Sequence, residues 1–549
     1  MLLSSELQVL VIESQPTMRA QLRAMLASIG VESAQFAVSA TAALKRLRVQ
    51  RFELILCEYN LGEGQDGQHL LEDLHAQGVL PMDTVFVMVT GERNYERVIS
   101  ACELTPNDYL LKPLNAETLR IRLLRAFQKR DAFLPAWRSM QLGDPVGAIH
   151  HCRAGREQHP QYLTDFMRLQ ARLHTSIGQL AEAEALYREI LGSQRLPWAE
   201  LGLARILMLN KRLLEAEDVL LALIARHERF IEAYELLARL QEDDGRPEQA
   251  CQTVAAAVEI SPHRMARLRQ LGSLSLATGN PAGAESTFAE VVRKGKYSEF
   301  REPEDHVRLV QAQLAQDKVR EAQASTLDLE RSMGRQPKAA LCQTVCTALI
   351  AAHEEDQDKA RLALGNALQA GTTLRTLSIG LRQDLIKTCF DQRMEKEGSE
   401  LVADLLRSAA DESTIATTRQ VLEQRGLGKL SGEIEAKVQT EVKSLVTTGI
   451  EKARTGDYDG AVSEMMNAAR KLPGNPHVLF NAALALLRHI EHCGWNEVLA
   501  SQAHVLIVRA QLLAPTSPRL VAITEFMHTL IKHYGIRPEQ VLNRLARAS

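Results

Sequence analysis

Phe52-Glu-Leu-Ile-Leu-Cys57 is a six-residue stretch rich in large apolar side chains, and it runs straight into an acid, Glu58. A short apolar run closed by polar residues reads as a buried strand. Three other runs share the form. Val9-Leu-Val-Ile12 is closed by Glu13-Ser14, Val85-Phe-Val-Met-Val89 by Thr90, and Asp108-Tyr-Leu-Leu111 by Lys112-Pro113. Between them lie amphipathic stretches, from Thr17 to Ile29 and near residues 39–49, 67–77, 95–103 and 116–128. Strands that alternate with helices imply a parallel sheet with helices on both faces. Such sheets bind ligands beyond the carboxyl ends of their strands, at the switch point. The residues at those ends are Glu13, Ser14, Glu58, Thr90 and Lys112.

That set and its spacing over residues 7–128 resemble the receiver domain of bacterial two-component response regulators. The resemblance implies an α/β (βα)5 flavodoxin-like fold, with an acidic pair after the first strand that helps to hold Mg2+. It also implies a phosphoacceptor Asp after the third strand, Thr or Ser after the fourth, and Lys-Pro after the fifth. Thr90 and Lys112-Pro113 match, and Tyr109 stands at the family's switch-aromatic position. Two positions depart: the acidic pair is Glu13-Ser14, and Glu58 replaces the phosphoacceptor. Magnesium demands near-octahedral oxygen ligands at about 2.0–2.1 Å. Ser14 removes one carboxylate, and the extra methylene of Glu58 moves its oxygens outward by roughly 1.5 Å. A misplacement of ~1 Å can cost on the order of 10²-fold in rate. The expectation is a degenerate pseudo-receiver with no resident cofactor, Mg2+ on Glu13 and Glu58 being the one candidate. Glu58 then either mimics a phosphorylated Asp, reaching Lys112 and Thr90, or is an acid neutralised by Lys112.

The rest of the chain repeats with a period near 34 residues. Ala238…Gly245…Ala250…Val254…Ala257…Pro262 recurs as Ala171…Gly178…Ala183…Tyr187…Ile190. It recurs again as Gly272…Gly279…Ala284…Phe288…Val291 and as Gly449…Gly456…Ala461…Met465…Ala468…Pro473. Weaker copies place Lys211, Asp317 and Glu355 where these have glycine. A divergent first copy runs Ala136…Gly143…Ala148…Pro160, and a late one, ending in Pro515, carries an insertion around His489 to Trp495. The small residues fit places where paired helices approach closely. The pattern resembles tetratricopeptide repeats, which implies an all-α solenoid that binds protein segments. The chain then divides into a receiver-like domain (1–128), a solenoid (129–374), an irregular helical segment out of register (375–440), and a second repeat segment with C-terminal capping helices (441–549). The helix from Ala116 runs on towards Trp137, interrupted only by Pro135, with Phe133 and Trp137 expected to pack at the junction.

By the same resemblance, the first helix of each repeat lines a concave groove. Register places Arg172, Arg205 and Arg239 at the ninth position of three successive first helices, with Arg168 and Arg269 at the fifth. Guanidinium groups pair with carboxylates through two parallel hydrogen bonds, so such a ladder suits an acidic peptide or a C-terminal carboxylate. Glu235, one helical turn before Arg239, offers that arginine a local partner. Arg205 has no acid beside it in the sequence.

Composition narrows the function. A formal charge of −3 and a pI near 6.6 give no pull towards nucleic acid. Eight cysteines lie without a C-x-x-C pair, and Cys342 and Cys346 lack a second pair at zinc spacing, which fits a reducing compartment. No apolar run approaches the ~20 residues needed to span a bilayer, and the N-terminus lacks a basic leader, so a cytoplasmic protein without membrane insertion is expected. There is no P-loop, G-x-G-x-x-G, H-E-x-x-H or G-x-S-x-G motif, and His150-His151 face different directions on a helix. The expectation is a non-enzymatic adaptor of a two-component pathway. Its candidate partners are a histidine kinase, another response regulator, a pathway effector, or a second copy of the chain. The alternatives are a regulator switched by phosphorylation and a decoy receiver that inhibits phosphotransfer.

Overall fold

The computed structural model describes residues 7–61, 67, 70, 71, 74, 80–91, 107–141, 144–262, 264–295, 301–408, 412–423, 425–514 and 517–536. The expected helix at 95–103, most of that at 67–77, Cys102, Gly143, Pro515 and the last thirteen positions lie outside the described residues. The chain forms two compact units. One comprises Met1–Trp137, His151–Leu169 and Glu184–Ala312; the other comprises Arg138–His150, Gln170–Ala183 and Gln313–Ser549.

In the first unit, five parallel strands lie in the order β2-β1-β3-β4-β5: β1 (Val9–Ile12), β2 (Ala34–Ala37), β3 (Leu54–Glu58), β4 (Val85–Thr90) and β5 (Asp108–Leu111). Every residue of β1, β3 and β4 is buried, as a parallel sheet covered on both faces requires. Alternate residues feed two cores: Leu10, Ile55 and Phe86 enter one, and Val9, Leu54 and Val85 enter the other. The helices α1 (Pro16–Ser28) and α2 (Ala40–Leu47) follow β1 and β2. Sequence patterning alone finds four of the five strands. The missed one, Ala-Gln-Phe-Ala, is a half-buried edge strand with no run of large apolar residues.

The helix after β5, α3 (Ala116–Gln141), passes residue 128 without a break and carries Pro135 inside it. Next come α4 (Pro145–Gln158), α5 (Leu163–Ser176) and α6 (Leu180–Ser193). Phe133 of α3 stacks on Phe166 of α5, ring centroids 4.0 Å apart, and Lys129 pairs with Asp165 at 2.8 Å. The Phe166 ring fills the space that a side chain on Gly155 would need. The connection is therefore helical and docked, and semi-rigid rather than a tether.

Helical hairpins fill the rest of the first unit: α7 (Pro197–Leu209) with α8 (Leu213–Arg226), α9 (Ile231–Asp243) with α10 (Pro247–Ile260), and α11 (Met265–Ala277) with α12 (Pro281–Gly295). α13 (Glu304–Leu314) follows. The second unit holds α14 (Val319–Met333), α15 (Pro337–His353), α16 (Gln357–Leu368), α17 (Ile379–Asp391), α18 (Glu395–Ser408) and α19 (Glu412–Glu423). It continues through α20 (Gly428–Arg454), α21 (Tyr458–Lys471), α22 (Pro476–Cys493), α23 (Glu497–Leu513) and α24 (Pro518–His533). None of the described helices is long and apolar enough to cross a membrane.

One turn is used again and again. A residue in the left-handed conformation follows the first helix, and the next N–H bonds back to the carbonyl five positions earlier. Arg212 bonds Leu207, Arg246 bonds Gln241, Asn280 bonds Ser275, Lys318 bonds Gln313 and Asp356 bonds Ala351, at 2.8 to 3.0 Å. Residues 375–440 obey the same rule, with Met394 bonded to Cys389 and Leu427 to Leu422. The segment that loses register in sequence is thus built of ordinary helices. Its spacing fails because the 27-residue α20 packs on α19 and also forms the first helix of the hairpin with α21.

Small residues sit where helices touch. Side chains on Gly202, Gly272 and Gly449 would meet Tyr187, Phe288 and Met465. Cys342 and Cys346 are both buried, and burial pushes the Cys346 thiol up to about 12, which leaves it inert. Phe133 is buried, and Trp137 beside it is half-buried.

Candidate functional site

The carboxyl edge of the sheet gathers the residues that the sequence singled out. Glu13 follows β1, Glu58 ends the neighbouring β3, Thr90 ends β4 and Lys112 follows β5. The Lys112 N–H donates to the Thr90 carbonyl at 2.8 Å, which fixes the start of its side chain. The lysine stem passes close to Gly91, where a Cβ would lie 4.0 Å from it, an ordinary contact. The stem reaches past the end of β4 to β3 and β1.

Lys112 Nζ donates to Glu13 Oε2 at 3.1 Å and to Glu58 Oε2. The other oxygens are also engaged. The Gln15 N–H donates to Glu13 Oε1 at 2.8 Å, and the Asn60 N–H donates to Glu58 Oε1 at 3.1 Å. Arg19 closes the loop after β1, its Nη1 donating to the carbonyls of Glu13 at 2.8 Å and Ser14 at 2.7 Å. The side chains are well covered, 2% exposed for Glu13, 8% for Glu58 and 17% for Lys112. Burial pushes Glu58 above the usual carboxylate range, against the hydrogen bond from Lys112. Burial alone would lower Lys112, but its hydrogen bonds to Glu58 and Glu13 outweigh it and hold the ammonium above the usual lysine range.

One ammonium therefore bridges two carboxylates, all four of whose oxygens have donors. Of the two expected partners of Glu58, Lys112 is in contact, and Thr90 is brought to the same edge, buried, by the pairing of β4. Tyr109 is buried, and its ring packs in the core with Phe86 and Met88. Ser14 brings no carboxylate to the edge. Among the described residues no group of three or more His, Cys, Asp or Glu is placed to hold a metal ion. A divalent cation on Glu13 and Glu58 would share their oxygens with Lys112 and with the Gln15 and Asn60 N–H groups. Neither the role of Arg19 nor the sharing of Lys112 was legible in the sequence, because both depend on loop geometry rather than residue spacing.

The arginines of the expected groove separate into distinct cases. Arg269 does not contribute to a ladder: its Nε and Nη2 pair with both oxygens of Asp305 at 2.7 and 2.8 Å. An acid supplied by α13, far along the chain, accounts for this, and nothing in the local sequence signals it. Arg172 is exposed on α5 and belongs to the second unit. Glu235 is not the partner of Arg239, because it accepts from Arg264 at 3.0 and 3.1 Å and from Arg267 at 3.1 Å. Arg205 and Arg239 are exposed and make no hydrogen bond or ion pair among the described residues. Arg168 lies over the ring of Trp198, 4.9 Å from its centroid. Glu232 is half-buried without a hydrogen bond or ion pair among the described residues, and burial holds it above the usual carboxylate range against the pull of Arg205 and Arg168.

Comparison with known proteins agrees with this architecture. Residues 9–124 match the family model of the response regulator receiver domain. The N-terminal region is 28% identical over 128 residues to the chemotaxis protein CheY-3 of Vibrio cholerae, covering 23% of this chain and 97% of that protein. A solved receiver domain of an HD domain-containing protein from Pseudomonas fluorescens is 24% identical, with a TM-score of 0.21, over 23% of this chain and 98% of that one. A tetratricopeptide repeat protein from Parabacteroides merdae is 15% identical, with a TM-score of 0.32, over 47% of this chain and 98% of that one. Residues 9–124 thus match a receiver domain, and the helical hairpins described above follow it, an organisation that fits a signalling adaptor or a response regulator.

Proposed function

We propose that the chain is a non-catalytic signalling adaptor of a two-component pathway. Its receiver is degenerate, with Glu58 at the phosphoacceptor position, and its helical repeats hold a protein partner. The observation that carries the reading is the Glu13–Lys112–Glu58 cluster. Phosphoryl transfer to a carboxylate is chiefly positioning plus charge neutralisation by Mg2+. Here an internal ammonium supplies the neutralising charge and the acceptor oxygens are already hydrogen-bonded. The receiver then serves as a permanently set docking module, and no cofactor is required.

The test is capture of partners from extracts of the native cell by the full chain, before and after treatment with acetyl phosphate and Mg2+. The same partner is expected in the same yield on both sides. A yield that changes severalfold with treatment would support a phosphorylation-switched regulator instead, and no specific partner under either condition would remove the adaptor reading.

A further inference from the structure

The first helices α7 and α9 are direct neighbours. On α7, Trp198 and Arg205 are seven residues apart, and so are Glu232 and Arg239 on α9. Seven residues make nearly two full turns, so each pair shares a helix face about 10 Å long. Arg168 of α5 joins this face, its guanidinium over the Trp198 ring. Two of its cations, Arg205 and Arg239, are exposed and make no hydrogen bond or ion pair among the described residues, and the third lies over an aromatic ring. Guanidinium groups left without carboxylates present forked donors to an incoming anion. The face is bounded on α9 by Glu242, which accepts from Gln270 at 2.6 Å, and by exposed Asp243.

We propose that Arg168, Trp198, Arg205 and Arg239 take a short acidic peptide segment, and that Glu232 is a built-in competitor that holds its affinity down. This rests on the adaptor reading and names the chemistry of its partner. A half-buried carboxylate without a hydrogen bond is a costly feature for a merely structural position. Beside Arg205 and Arg168, whose charges act on it, Glu232 lowers the positive potential that an acidic segment would meet. It leaves Arg205 unpaired, so the cation stays available.

The experiment titrates the full chain with a rhodamine-labelled hexapeptide of alternating Glu and Asp, followed by anisotropy. The peptide is used with an amidated C-terminus and, in a second arm, with a free one, which separates side-chain from terminal carboxylate recognition. Arg205→Glu combined with Arg239→Glu should weaken binding at least about tenfold without lowering the melting temperature, because both side chains are exposed. Glu232→Gln should tighten binding about fivefold, and salt should weaken it in both proteins. Charge reversal that leaves affinity unchanged, or no binding by either wild type or Glu232→Gln, would overturn the acidic-peptide assignment. Unchanged affinity in Glu232→Gln alone would overturn the competitor role. A native partner captured at full yield by the double variant would also move recognition off this face, while leaving the adaptor reading intact.

Discussion

Lys112→Ala is expected to destabilise the receiver by about 3–5 kcal/mol, because it strands two covered carboxylates beside each other. Glu58→Gln should cost no more than about 1 kcal/mol. The asymmetry follows from the geometry. Removing the Glu58 charge leaves Lys112 still paired with Glu13 at 3.1 Å, whereas removing Lys112 leaves neither acid a counter-charge from that side. The two variants should also differ in pH dependence. The raised Glu58 keeps its proton to higher pH in the folded state than in the unfolded chain, so its contribution to stability falls as pH rises through its folded pKa. Without Lys112 that pKa rises further, and the deficit of Lys112→Ala should shrink on going from about pH 7.5 to about pH 5. Lys112 itself is raised, so its stabilisation is fully present below the unfolded lysine pKa and is lost only as pH rises through the folded value. Hydrogen exchange of peptides from residues 7–61 in the full chain measures each variant locally. Equal losses for the two substitutions would show that the bridge is not shared.

Replacing Lys211, Asp317, Glu355 and Arg393 together by glycine should stabilise the repeats by roughly 2–4 kcal/mol in sum. These residues adopt φ of 60, 58, 60 and 58°, at the turn where other repeats use Gly178, Gly245, Gly279 and Gly456. A side chain with a Cβ pays about 1–2 kcal/mol in that conformation, of which glycine returns part through its larger unfolded entropy. Asp317 pairs with His353 at 3.1 Å, but it is 92% exposed there, so giving up that pair costs little stability. Each single substitution should raise the denaturation midpoint. A neutral or destabilising quadruple variant would mean that these turns relax in solution.

The same turns show what the sequence made legible. Lys211, Asp317 and Glu355 fall in register with the glycines of the stronger repeats, and the backbone uses them identically. Arg393 and Gly426 escaped because the preceding helices lack the Ala/Gly spacing and because α20 serves two hairpins, which shortens the next interval. At the receiver edge, spacing brings Glu13, Glu58, Thr90 and Lys112 together. It does not reveal that one ammonium satisfies both acids, since that depends on how far a side chain reaches across β4. Long-range pairs such as Arg269–Asp305 were illegible for a related reason: helix stacking, which no local pattern encodes, decides them.

The most direct measurement is the intact mass of the full chain after incubation with acetyl phosphate and Mg2+. With Lys112 seated between Glu13 and Glu58, no phosphoryl adduct is expected. A stoichiometric, acid-stable and hydroxylamine-labile adduct on Glu58 would contradict the degenerate-receiver reading.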